Sequence, residues 1–219
     1  MTASTAPAHH RGLPRKPRIP KHGYHHGDLR RALLDAALAV LVEDGPHALT
    51  MREVARRVGV TQAAPYHHFA DKEAILAAVA EEGFTKLYES MIEARTAAGT
   101  KPAARLRAMG AGYVRFAVQH PAHFRVMFVK IVDMTQYPSL HACADRSFTA
   151  LLEATLEGQK AGLVRKGDAA ELALLMWSAV HGLATLWISG AAVRPAGPVL
   201  TIESLTDAAT EMLVRGLGR

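Results

Sequence analysis

Thr61, Gln62, Ala63, Ala64, Tyr66 and His67 bring small side chains together with hydroxyl, amide and imidazole groups over one short run. A surface that approaches the edges of nucleic-acid bases needs small side chains for access and polar ones for hydrogen bonding, with hydroxyls and cations at its margins for phosphate. Gln62 is the base reader of the set, because its amide can pair with adenine N6 and N7 together. Ala63 and Ala64 permit close approach and can touch a thymine methyl.

Those residues need elements that hold them out from a core. Thr50 begins a Thr-x-x-Glu pattern in which its hydroxyl can cap the third helical amide while Glu53 reaches back to the amide of Thr50. A helix is therefore expected from Met51, with Met51, Val54, Ala55 and Val58 on one face and Arg52, Glu53, Arg56 and Arg57 on the other. Gly59 ends it, Val60 packs inward, and Thr61 is read as a second capping residue that opens a second helix. Pro65 should tighten the first turn of that second helix, where a missing amide hydrogen costs least. Two short helices joined by a tight turn are the grammar of a helix-turn-helix, whose second helix enters the major groove.

Residues 28 to 87 resemble the DNA-binding domain of the tetracycline-repressor (TetR) family of bacterial transcription regulators. The resemblance is carried by Leu49-Thr50-Met51-Arg52-Glu53-Val54-Ala55, Val58-Gly59-Val60-Thr61 and Tyr66-His67-His68-Phe69-Ala70-Asp71-Lys72-Glu73. Pro65 departs from the aliphatic residue that most members carry before the Tyr. The resemblance implies that Tyr66 and His67 contact phosphates, together with Thr50 and Arg52 at the start of one helix and Lys72 at the start of the next. Helix amino termini carry partial positive charge and suit that role. A more distant resemblance, to one type of TetR regulatory domain, is carried by Tyr113-x-x-Phe116-Ala117, His120-Pro121-x-x-Phe124-Arg125-x-Met127-Phe128 and Trp177-x-x-x-His181-Gly182.

Charge is distributed to match. Of the net +6, residues 1 to 72 carry a surplus of five, with 11 basic and six acidic side chains, and the rest of the chain is nearly neutral. A basic head on a neutral body is what a phosphate-binding domain joined to a regulatory one would show. Residues 1 to 26, with Pro7, Pro14, Pro17, Pro20 and five Arg or Lys but no acid, read as a flexible basic arm. Such an arm either lies along a minor groove or serves as a solubilising tail. The arm holds five of the twelve histidines, yet no Asp, Glu or Cys joins them at a ligand spacing, so no metal site is expected.

The rest of the 219-residue chain reads as helix after helix, with no strand-like alternation and no repeat. The expectation is an all-α protein of about nine helices: a three-helix head (27 to 87), a long helix from about Lys72 to Arg95, and a helical regulatory and dimerisation bundle (88 to 219). Met91, Met109, Tyr113, Phe116, Phe124, Met127, Phe148, Met176, Trp177 and His181 are the candidates for lining a mostly apolar effector pocket. His181 either bonds an effector or is a satisfied core histidine. The helices near 169 to 189 and 202 to 215 carry apolar residues on more than one face, and they are expected to form a homodimer through outward positions such as Leu186 and Leu213.

Hydrophobic residues at 49% and charged residues at 21% are those of an ordinary globular chain. No apolar run looks long enough to span a membrane, no signal peptide is recognised, and the single cysteine, Cys143, suits a reducing compartment; a cytoplasmic location is expected. No Ser-His-Asp order, phosphate loop or working pair of carboxylates supports an enzyme, and no cofactor is expected. The expected partners are a double-stranded DNA operator, a small-molecule effector and a second copy of the chain. The alternative is a helical ligand-binding or scaffolding protein with vestigial DNA binding.

Overall fold

The computed structural model describes residues 29–128, 132–192, 200–216 and 218. The basic arm and its five histidines lie outside that range. Among the described residues the chain is all-α: α1 (Leu29–Glu43), α2 (Met51–Val58), α3 (Lys72–Ala97), α4 (Pro102–Gln119), α5 (Pro121–Phe128), α6 (Pro138–Lys160), α7 (Ala169–Ile188) and α8 (Ile202–Gly216). Two 3-10 turns, Ala64–His67 and Met134–Gln136, complete the order. The expected count of about nine differs by one because the second element of the helix-turn-helix is a 3-10 turn.

Local chemistry sets the ends. Thr50, Asp71 and Asp168 each accept a hydrogen bond from an amide in the first turn of α2, α3 and α7. Pro102, Pro121 and Pro138 open α4, α5 and α6, where the absent amide hydrogen has no helical partner to lose. Gly59 closes α2 at φ 81°, and its amide bonds the carbonyl of Ala55.

α1, α2 and the start of α3 enclose one part of the core, with Leu33, Ala37, Val40, Leu49, Val54, Ile75, Leu76 and Val79 all buried. Phe69 joins this core, and Arg30 stacks on its ring at 5.3 Å. Arg57 ties α2 to the end of α1, pairing with Glu43 at 2.8 Å and Asp44 at 2.7 Å, and Arg31 ties α1 to α3 through Glu82 at 2.9 Å.

α3 then continues without a break into the body, where α4, α5 and α6 pack on it and α7 and α8 pack on α4 and on each other. Two glycines let its neighbours come close. A Cβ on Gly83 would lie 2.5 Å from Met127 Sδ of α5, and one on Gly112 of α4 would lie 2.6 Å from the carbonyl oxygen of Ser90. The hydroxyl of Ser90 donates to the carbonyl of Gly112 at 2.9 Å, fastening the same crossing.

α7 corrects one expectation from the sequence. It is long and apolar enough to cross a membrane by length and composition, yet only 28% of its most apolar 18-residue stretch is buried within the chain. One side of α7 packs on α4, α6 and α8, while Leu174, Leu175 and Leu186 are exposed on others. Its apolarity thus exceeds what a single chain's core uses.

Replacing Gly112 by Ala should lower stability by about 1–3 kcal/mol, since the new methyl meets backbone that cannot rotate away. Urea unfolding of the two proteins reads this directly, and an unchanged midpoint would show that the α3–α4 crossing is not as tight as the Ser90 contact implies.

Candidate DNA interface and interior cavity

The helix-turn-helix begins as expected at Thr50, whose hydroxyl accepts from the amide of Glu53 at 3.1 Å. The reciprocal half is not formed. Glu53 turns to Arg56 (2.7 and 2.6 Å) and Arg57 (2.9 Å), because two guanidinium groups one turn away outcompete a single backbone amide. These bonds, first from Arg56 and then from Arg57, hold the Glu53 carboxyl down at about 2. Arg52 is exposed and, unlike Arg56 and Arg57, has no carboxylate partner among the described residues.

The recognition element departs from the sequence reading. Thr61 does not cap an α-helix: its carbonyl accepts from Ala64 at 3.1 Å, and Ala63 precedes a four-residue 3-10 turn with Pro65 in its first positions. Pro65 has no amide hydrogen, so no i→i−4 bond can form from it, and the chain winds tighter through bonds of Ala64, Tyr66 and His68 to residues three back. Pro65 is buried, which roots the turn in the head, and Thr61, Gln62, Ala63 and His67 are left exposed with Ala64 half-buried. Tyr66 is 57% exposed, so its ring is not core packing. Lys72 is half-buried at the start of α3, and its ammonium donates to the carbonyl of Pro46 at 2.9 Å. Two further protons of that group are not used by this bond.

In the body, a cavity of about 40 Å³ lies between five helices, which is room for roughly three waters. Of the ten expected lining residues, Met91, Met109, Tyr113, Met176 and Trp177 face it. The other five lie elsewhere. Phe116 is core against His120, Met127 fills the space beside Gly83, Phe148 packs on Trp177, and Phe124 stacks between Tyr113 and His181. Sequence reading missed Leu106, Arg107, Gly110, Leu151 and Val180, and above all Thr210, Leu213 and Val214 of α8. Leu213 therefore points inward rather than outward, and Met212, 67% exposed, takes the outward position. The spacing of the buried Thr206 and Thr210 on α8 is the signal that would have set this phase.

Behind the cavity three side chains form a closed relay. Trp177 Nε1 donates to the Tyr113 hydroxyl at 3.0 Å, and that hydroxyl is 2.8 Å from His181 Nδ1. Indole can only donate, so the tyrosine accepts from it; the arrangement that also gives the tyrosine proton an acceptor has it donated to Nδ1, with His181 neutral and its hydrogen on Nε2. Burial pushes the Tyr113 hydroxyl up and the His181 imidazole down, both toward the uncharged forms this chain of bonds requires. Neither group is activated for catalysis; the arrangement fixes one wall of the cavity.

A surface helix-turn-helix carried by a helical bundle with its own interior cavity defines a one-component DNA-binding regulator, with reader and sensor in one chain. Comparison with known proteins is specific. The profile described as "Bacterial regulatory proteins, tetR family" matches residues 33–79, and "Tetracyclin repressor-like, C-terminal domain" matches 106–213. The chain belongs to the TetR family of transcriptional regulators. The HTH-type regulator BetI of Rhizobium meliloti (strain 1021) is 41% identical over 80 residues, which are 36% of this chain and 39% of BetI, so the match spans well under half of that relative. A protein of unknown function from Rhodococcus sp. RHA1 superposes with a TM-score of 0.79 at 33% identity, over 91% of this chain and 100% of that one. The TetR-family regulator PfmR from Thermus thermophilus has the same fold, with a TM-score of 0.67 at 24% identity over 85% of this chain and 99% of PfmR.

Three buried or half-buried histidines, His120, His123 and His181, are shifted down by desolvation. A depressed folded-state value means that the unfolded chain binds more protons below the ordinary histidine range, so this stability is present above about pH 6.5 and is lost as pH falls through the folded-state values. Melting temperature should therefore drop between about pH 7.5 and about pH 5, before carboxylates such as Glu53 and Glu82 titrate. The drop should be shallower in His123→Gln. An equal slope in both proteins would remove His123 from the account.

Proposed function

We propose that this protein is a transcriptional repressor that binds a palindromic operator as a homodimer and leaves it when a small, largely apolar molecule enters the cavity of the body. The observation that carries this reading is the continuity of α3, whose first residue, Lys72, stands at the helix-turn-helix and whose Met91 lines the cavity. A ligand that displaces Met91 can then tilt one rigid rod and move the head. Release requires that the ligand bind the free conformation more tightly than the DNA-bound one, and a tenfold loss of operator affinity needs about 1.4 kcal/mol of that difference.

In this reading Gln62 reads a base, Ala63 and Ala64 let the turn approach, and Thr50, Arg52, Thr61, Tyr66, His67 and Lys72 hold phosphates. Gel shift with DNA upstream of the protein's own and neighbouring genes tests it, and no retardation of any fragment at low salt would leave the vestigial alternative. Gln62→Ala should lose roughly 1 to 3 kcal/mol at one or two base positions, whereas Lys72→Ala should weaken all sequences alike and lower the salt slope by about one. Uniform weakening by both would deny Gln62 its role as reader.

The homodimer is supported by the outward apolar faces of α7 and α8, where Leu174, Leu175, Leu186 and Met212 are 49%, 47%, 53% and 67% exposed. Covered by a two-fold partner, they would also account for the surplus apolarity of α7, and a dimer would set two reading turns on successive major grooves, about 34 to 36 Å or a multiple apart. That role places the protein in the cytoplasm rather than in a membrane. Leu186→Asp with Met212→Asp should yield monomers in analytical ultracentrifugation with operator binding reduced by orders of magnitude, since one head offers half of the contacts. Intact dimers would move the interface elsewhere.

A further inference from the structure

We infer that the ligand of the cavity is an amphipathic organic anion, its tail among the methionines and leucines and its acid group on Arg107. This rests on the cavity being the effector site, and it adds the chemical class. Every other polar side chain on the wall is satisfied inside the protein. The Trp177 indole donates to Tyr113, the Tyr113 hydroxyl is closed by His181, and the Thr210 hydroxyl donates to the carbonyl of Thr206 on its own helix at 2.8 Å. None of these offers a ligand a free donor without breaking a bond already made.

Arg107 is the exception. It lines the cavity, is half-buried, and has no hydrogen-bond or ion-pair partner among the described residues. The two other arginines of α4 have carboxylates in reach and do not line the cavity: Arg105 lies 3.4 Å from Glu157, though its Nε is buried without a partner, and Arg115 lies 3.4 Å from Glu93. A guanidinium that is always charged, set at the edge of an apolar chamber and lacking a protein carboxylate, attracts a planar acid group that can accept two parallel hydrogen bonds. The low polarity of the surrounding wall strengthens that attraction relative to water. A neutral apolar ligand would leave Arg107 partly desolvated and unpaired, a penalty the anion removes.

The test uses full-length protein carrying Trp187→Phe, so that Trp177, on the cavity wall, is the only remaining tryptophan. Straight-chain carboxylates from butyrate to decanoate are titrated against the alcohols of the same lengths, following Trp177 fluorescence and thermal shift. At least one acid should bind about 10- to 100-fold more tightly than its alcohol. Arg107→Gln should abolish that preference, weakening the acid about 10- to 100-fold while the alcohol binds as well or more tightly, and Arg107→Lys should keep part of the preference. Equal binding of acid and alcohol, binding of neither, or a preference that survives Arg107→Gln overturns the assignment. Operator retardation is measured in the same samples. An acid that binds through Arg107 without altering retardation would overturn the regulatory reading and leave the anion assignment standing.

Discussion

One helix has to satisfy two cores. α3 buries Ile75, Leu76 and Val79 against α1 and α2, then Phe84, Leu87 and Met91 against the body, over 26 residues with no interruption. Its direction is therefore fixed by whichever contacts are least able to yield. The firmest is the Gly112 crossing, where the backbone of Ser90 comes to a distance no side chain allows, and Gly83 adds a second close approach that the Met127 side chain fills. Because both lie in the body, the head is carried on an arm whose anchor is elsewhere, and the geometry of the reading turn depends on packing remote from DNA.

Within the head, charge is sorted by partnership. Glu53 and the α1 terminus draw Arg56 and Arg57 into a knot that holds α2 against α1, so these cations serve the fold. Arg52, next to the capping residue and outside that knot, is left uncommitted among the described residues. The same logic separates Arg107 from Arg105 and Arg115 on α4. In both places the pairing pattern, rather than the number of basic residues, distinguishes cations that build the molecule from cations that can bind something.

Much of this was legible in the sequence where a single residue decides the outcome. The cap at Thr50 and the glycine at 59 act locally, and the helices expected from Met51, from about Lys72 to Arg95, and near 169 to 189 and 202 to 215 fall within a residue or two of expectation. The recognition element was less legible, because Pro65 affects two bonds at once: its own missing donor and the packing that buries its ring. The result is a 3-10 turn instead of an α-helix. The cavity was half legible for a different reason. Aromatic and methionine residues mark a core, but which of them face an empty space depends on helix phase across five elements. Phe116, Phe124, Met127, Phe148 and His181 pack away from the gap while Arg107 and three residues of α8 close it.

The contribution of α8 links the two proposed events, ligand entry and reading of DNA, more closely than α3 alone would. Leu213 and Val214 line the cavity, and Met212, their immediate neighbour, is on the outward face proposed to meet the second subunit. Thr210 approaches Gly110 so closely that a Cβ there would lie 2.8 Å from its methyl, so α8 cannot move toward α4 to accommodate a guest. A cavity with room for roughly three waters must open outward to take anything larger. In the proposed dimer, outward displacement of α8 at Leu213 would carry Met212 with it and change the angle between subunits at the same moment that a displaced Met91 moves α3. Under that proposal, two rigid elements moved by one occupant would alter the separation of the two reading turns, and close packing would make such a change a switch between discrete arrangements rather than a gradual one.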